Sequence, residues 1–145
     1  MNLKSYKIMK NALYTLAILF FANTIFAQGK VEITVSKVIV DGGNIRVALY
    51  NTEDSFLKKP FKVDMVKSTS EKVKLVFSNL PAGKYAISLY QDENKNKELD
   101  MGVFGPKEPY GFSNNAKGSF GPAKFKDAKF EVTNDNEAKQ NIVLD

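Results

Sequence analysis

From Val31 onward, apolar side chains return at every second position, and nothing else in this chain restricts its fold as strongly. Val31, Ile33 and Val35 alternate with Glu32, Thr34 and Ser36. The same rhythm places Ile45, Val47 and Leu49 on one side, then Phe61, Val63 and Met65, then Val73, Leu75 and Phe77. It returns at Tyr85, Ile87 and Leu89, at Phe130 and Val132, and at Ile142 and Leu144. A period of two marks a strand with one buried face. The pattern predicts about seven strands, and no stretch after residue 27 holds a helical period beyond one turn. Residues 51–57 are the only candidate for such a turn, with Asn51 or Thr52 as its cap and Asp54 near its start.

One-sided alternation suits antiparallel sheets whose outer faces are solvated. The expected fold is therefore all-β, an antiparallel sandwich of about seven strands, immunoglobulin- or transthyretin-like. Lys37 breaks the phase before Val38-Ile39-Val40, which predicts a bulge in a strand that continues to Val40. Asp41-Gly42-Gly43-Asn44 is strong turn chemistry and predicts a hairpin between the first two strands. Asn79-Leu80-Pro81-Ala82-Gly83-Lys84-Tyr85 reads as a turn entering a strand, a structural feature.

Residues 1–27 have the layout of a secretory signal peptide. Lys4, Lys7 and Lys10 precede an apolar run from Ala12 to Ala22, too short for a comfortable span, and Ala27 ends it. Residues 28–145 then form the single mature domain, exported to the periplasm or secreted, with no membrane span after cleavage. No cysteine follows the apolar run, so no lipid is attached through one. The mature 118 residues carry eighteen basic and sixteen acidic side chains, a net charge of +2. The lysines are scattered rather than massed, which argues against nucleic acid as a partner. With no cysteine and no histidine, disulfides, nitrogen–sulfur zinc sites and histidine-based catalysis are all excluded.

One segment interrupts the strand pattern. Between Asp92 and Phe125 little alternation survives, yet Phe104, Tyr110, Phe112, Phe120 and Phe125 give it enough apolar mass to order. It is expected to pack on itself and over one end of the sandwich. It opens with Asp92, Asn94, Asn96, Glu98 and Asp100 at alternate positions. That spacing of oxygen donors resembles the first half of a Ca²⁺ ring of the EF-hand type, with Glu98 giving its backbone carbonyl. Lys97 stands where such a ring takes glycine for its sharp turn, and Asn96 is a residue that tolerates positive φ. Val103 stands where the closing glutamate belongs, leaving Glu108 as its remote substitute. Ca²⁺ is the cofactor this donor set implies, at an affinity of about 10⁻⁴–10⁻³ M. The alternative is a solvated Asx-rich turn.

The aromatics offer a second reading. Tyr110, Phe112 and Phe120 sit beside glycines and would stack on an envelope glycan, peptidoglycan or a protein segment, unless they plug the sandwich instead. A catalytic reading would pair carboxylates from Glu93, Glu98, Asp100 and Glu108 for glycoside hydrolysis. A small sandwich is a poor host for that cleft, and the expectation is a non-enzymatic module. The sequence sets neither its oligomeric state nor its partner.

The motifs together resemble a known family. Leu80-Pro81-Ala82-Gly83-Lys84-Tyr85-Ala86-Ile87, then Asp92-Glu93-Asn94-x-Asn96-x-x-Leu99-Asp100, then Gly111-Phe112-Ser113-Asn114-Asn115, then Gly121-Pro122-x-x-Phe125-x-x-Ala128-x-Phe130, occur in this order. That succession resembles domain of unknown function 2141, whose members are small secreted or periplasmic bacterial proteins. The resemblance implies export and one domain, and it brings no activity. The family pattern has histidine where this chain has Gln91 and glycine where it has Lys97.

Overall fold

Val31, Ile33 and Val35 are fully buried while Lys30 between the first strand residues is exposed, so the alternation closes one face of the first strand onto a core. The computed structural model describes residues 28–134 and 136–145. The expected signal segment, residues 1–27, lies outside them. Eight strands follow in order: β1 (Gly29–Ser36), β2 (Asn44–Tyr50), β3 (Lys62–Lys67), β4 (Lys72–Leu80), β5 (Gly83–Asp92), β6 (Tyr110–Phe112), β7 (Phe130–Val132) and β8 (Glu137–Val143). One helical turn, α1 (Phe125–Ala128), precedes β7.

The strands form an all-β sandwich. One sheet has the order β4-β1-β8; the other has the order β3-β2-β5-β6, with β7 also pairing β5. Between them lies a core of Ile33, Val35, Ile45, Leu49, Leu75, Phe77, Ile87, Leu89 and Ile142, among others.

Three expectations change. First, β1 and β2 are not a hairpin. β1 pairs β4 and β8, whereas β2 pairs β3 and β5, so the turn at 41–44 carries the chain from one sheet to the other. Lys37 is no bulge either: β1 ends at Ser36, and Lys37 takes φ 60 as the chain leaves the sheet. Second, not every pair is antiparallel, because β1 and β8 run parallel along Lys30↔Glu137 to Ser36↔Val143. Third, residues 53–58 form turns without a helix, although Thr52 Oγ1 does accept the Ser55 amide at 3.2 Å.

The outer face of the five-stranded sheet is not simply solvated. Tyr50, Ala86 and Phe112 point away from the main core and form a second one with Phe56, Ala123, Phe125 and Ala128. Phe56 is its centre, with ring centroids 5.2 Å from Tyr50, 5.7 Å from Phe125 and 6.2 Å from Phe112. The long segment after Asp92 therefore covers a sheet face rather than one end of the sandwich.

The turn Ser113–Asn115 rivets this cover in place. Ser113 is fully buried; its hydroxyl donates to the Ala128 carbonyl at 2.5 Å and accepts the Ile87 amide at 2.9 Å. Asn114, at φ 60, donates its side-chain amide to the Asp127 and Lys129 carbonyls. Asn115 accepts the Val143 amide at 2.9 Å and so holds β8. Gly111 admits no larger residue, because a Cβ there would stand 2.7 Å from Ile142.

Candidate functional site

Strand β5 delivers Asp92 to the sheet edge with no exposed surface at all. A buried carboxylate needs compensation. Arg46, on the neighbouring strand β2, supplies it: its Nε donates to Asp92 Oδ2 at 2.6 Å. The same oxygen accepts the Lys97 amide at 3.0 Å, closing a turn across the loop. Asp92 Oδ1 is buried and has no partner. Burial alone raises the Asp92 carboxyl, but the Arg46 hydrogen bond and charge and the Lys97 and Asn96 amides outweigh it, and the group titrates below the usual carboxylate range.

Further along the loop, Asn94, Asn96 and Asp100 bond one another. Asn94 Nδ2 donates to Asp100 Oδ2 at 2.6 Å, and Asn96 Nδ2 donates to Asp100 Oδ1 at 3.0 Å. The two amide oxygens face the backbone: Asn94 Oδ1 accepts the Asn96 amide and Asn96 Oδ1 accepts the Glu98 amide. Asn94 and Asn96 thus each fix the backbone two residues on. Glu98 contributes its amide to that arrangement and exposes its side chain. The left-handed strain falls on lysines rather than on Asn96: Lys95 has φ 61 and Lys97 φ 72. Lys97 therefore makes the turn for which glycine was expected.

Glu108 does not join this ring. It is buried, and both its oxygens clip the loop's backbone, Oε1 to the Glu93 amide at 2.9 Å and Oε2 to the Asp100 amide at 3.1 Å. A hard cation takes oxygen donors, and here Asn94 and Asn96 turn their amide nitrogens toward Asp100 and their oxygens toward the backbone. Among the described residues no three carboxylate, histidine or cysteine side chains cluster, so the ring has Asp92 and Asp100 as its anions and amides between.

Tyr110 and Phe112 border one cavity, and Phe120 is not part of its lining. Phe112 belongs mainly to the second core, with only its rim reaching the cavity beside Tyr110. Tyr110 is half-buried against it, with centroids 6.0 Å apart, and Phe120 is fully exposed. Tyr110 lines a cavity of about 290 Å³ with Lys117, Gly118, Gly121 and Asp145.

Sequence reasoning missed Arg46. A signal was there, since Arg46 is the sole arginine of the chain and sits in the polar phase of β2. It also missed a cleft of about 420 Å³ on the open half of the five-stranded sheet, where small Ala48 and Ser88 lie between Arg46, Tyr50, Met65 and Tyr90. Burial raises the Tyr90 phenol there, against the opposing charge of Arg46.

A family model described as "Uncharacterized protein conserved in bacteria (DUF2141)" matches residues 33–140, from β1 through β8. The chain belongs to this family. No curated protein and no solved structure matches it. In this DUF2141 member Gln91 lies deep inside, where its amide donates to the Ile39 and Gly42 carbonyls at 2.7 and 2.8 Å and its Oε1 accepts the Ile39 amide at 3.0 Å. It holds the crossing between the sheets. Among the described residues no helix is long and apolar enough to cross a membrane.

Proposed function

We propose that this DUF2141 member is an exported, non-enzymatic sandwich module whose 92–100 loop binds Ca²⁺ and thereby fixes the segment that follows. The observation that carries the reading is Asp92 Oδ1, a buried carboxylate oxygen without a partner at the start of a loop in which Asn94 and Asn96 both bond Asp100. A buried carboxylate oxygen without a hydrogen bond is costly even when its partner oxygen meets Arg46, and a cation would satisfy it. Asp92 and Asp100 would hold the ion through carboxylate oxygens, Asn94 and Asn96 by turning toward it the amide oxygens that now accept backbone amides, and Glu98 through its carbonyl. Arg46 and the Lys97 amide keep the other Asp92 oxygen. Glu108 acts on the backbone, holding the loop's two ends at a fixed distance.

Isothermal titration of residues 28–145 with CaCl₂ tests this. The expected result is a saturable heat with a Kd of about 10⁻⁴–10⁻³ M, abolished in Asp92→Ala and Asp100→Ala. Absence of heat at millimolar Ca²⁺ would refute it.

A glycan-binding role is the second reading. The cavity beside Tyr110, with Lys117 and Asp145 at its edge, supports it, as does the free ring of Phe120. Binding on a glycan array that survives a chelator and is lost in Tyr110→Ala would favour that role over the first.

A further inference from the structure

The cleft on the open half of the five-stranded sheet takes its shape from strand register. Met65, Arg46 and Tyr90 stand abreast on β3, β2 and β5, and Val63, Ala48 and Ser88 stand abreast two residues along. Tyr50 stands two residues beyond Ala48. Residues two apart on a strand share a face, and such rows lie about 7 Å from one another. The small Ala48 and Ser88 therefore form the floor of a trough between larger neighbours, with a volume of about 420 Å³.

Polar groups converge on this floor. The Ser88 hydroxyl donates to the Tyr50 hydroxyl at 3.4 Å and keeps its capacity to accept. Asp92 holds the Arg46 guanidinium through Nε, and among the described residues the two terminal nitrogens of Arg46 make no hydrogen bond. Lys97 stands at the rim. Asp64, at the sheet's edge, accepts the Met65 amide through Oδ1 at 2.7 Å and leaves Oδ2 free among the described residues. The cleft thus both donates and accepts. The half-buried ring of Tyr90 gives it an apolar wall, continued by Val63 and Met65, which are 68% and 45% exposed.

Charge decides the class of ligand. Arg46 and Lys97 are balanced by Asp64 and Asp92, and Glu98 and Glu108 add negative field at Tyr90. That sum disfavours a carboxylate or a phosphate, while the two basic groups in the lining disfavour a cation. An uncharged ligand fits both conditions when it brings hydroxyls to Arg46, Ser88 and Asp64 and an apolar face to Tyr90. Three strands span about 10 Å, a patch of sugar-ring dimensions and far smaller than the roughly 800 Å² per partner of a protein interface.

We propose that this cleft binds an uncharged pyranose sugar, its ring against Tyr90 and its hydroxyls bonded to Arg46 and Ser88. The site is separate from the cavity beside Tyr110 and needs no Ca²⁺ in the 92–100 loop. Amide NMR titrations of residues 28–145, which contain both sheets, test it in EDTA with maltose, cellobiose and N,N′-diacetylchitobiose at tens of millimolar, and with glucuronate as the charged comparison. The expected result is a saturable shift of the Ala48, Ser88 and Tyr90 amides with at least one of the three neutral sugars and none with glucuronate. Ala48→Ile fills the trough with a residue suited to a strand, and Tyr90→Ala removes the wall; each should weaken the binding at least about tenfold, with the amide spectrum reporting that the variant is folded. No saturable shift with any of the three sugars, unchanged affinity in either folded variant, or binding of glucuronate as tight as that of the neutral sugars overturns the proposal. Shifts centred on Tyr110 and Lys117 put the sugar in the other cavity and overturn it as well.

Discussion

Arg46 Nε donates to Asp92 Oδ2 at 2.6 Å, joining the chain's sole arginine to a carboxylate with no exposed surface. The pair bridges β2 and β5 at the point where β5 becomes the candidate ring. Removing the guanidinium leaves a buried charge with only amides to hold it. Arg46→Met is expected to lower stability by about 3 kcal/mol in the absence of Ca²⁺, read from urea unfolding. Ca²⁺ should then raise the unfolding midpoint of the variant more than that of the wild type, because the ion takes over the neutralisation of Asp92. A variant as stable as wild type would show that Asp92 does not depend on Arg46.

Lys97 carries the second test. At φ 72 it occupies a conformation that favours glycine, and its amide must still reach Asp92. Lys97→Gly is expected to stabilise the fold by about 0.5–1 kcal/mol and to tighten Ca²⁺ binding, since the turn no longer strains a side chain. Chemical denaturation and calorimetry measure the two effects separately. A loss of stability would mean the lysine stem contributes more than its backbone costs.

Gln91 serves the fold rather than the site. Its three hydrogen bonds to Ile39 and Gly42 are the anchor of the 37–43 crossing, and it is fully buried. Gln91→Ala removes the partners of the Ile39 amide and the Gly42 carbonyl, the Ile39 carbonyl keeping the Gly42 amide at 3.1 Å, and is expected to cost about 2–3 kcal/mol. Ca²⁺ affinity, measured on the folded variant, should stay near that of the wild type.

Tyr85 gives the alkaline limit. Burial raises its phenol above the ordinary value, and its hydroxyl donates to the Pro81 carbonyl at 2.7 Å. The folded state thus favours the neutral form. That contribution is complete below about pH 10, the unfolded value, and is lost as pH rises through the higher folded value. Tyr85→Phe is expected to cost about 1 kcal/mol at neutral pH and to flatten the alkaline decline of stability, followed by unfolding at a series of pH values.

Most strands were legible because each carries its burial in its own alternation: Val31-Ile33-Val35 and Tyr85-Ile87-Leu89 need no distant partner to be recognised. Pairing was not legible in the same way. Asp41-Gly42-Gly43-Asn44 encodes a reversal, but an inward-facing alternation looks alike whether two strands share a sheet or face each other across the core. The β1–β8 partnership joins segments more than a hundred residues apart and leaves no local trace. Strand β6 has three residues, too few for a period, and its Phe112 reads as a loop aromatic until Phe56 and Phe125 are seen around it. At the site, the spacing picked out Asn94, Asn96 and Asp100, whose side chains do hydrogen-bond one another. The roles of Arg46 and Glu108 depend on approach in space, which spacing does not encode.

The central claim is that Ca²⁺ occupies the 92–100 ring, and a residue-resolved amide NMR titration of residues 28–145 tests it most directly. The expected result is a saturable shift of the Asn96, Lys97, Glu98 and Asp100 amides with one common Kd, absent in Asp100→Ala, while Gln91 and Ile39 barely move. Shifts spread over surface acids such as Asp54 and Asp127 without saturation, or none at all at millimolar Ca²⁺, would contradict it.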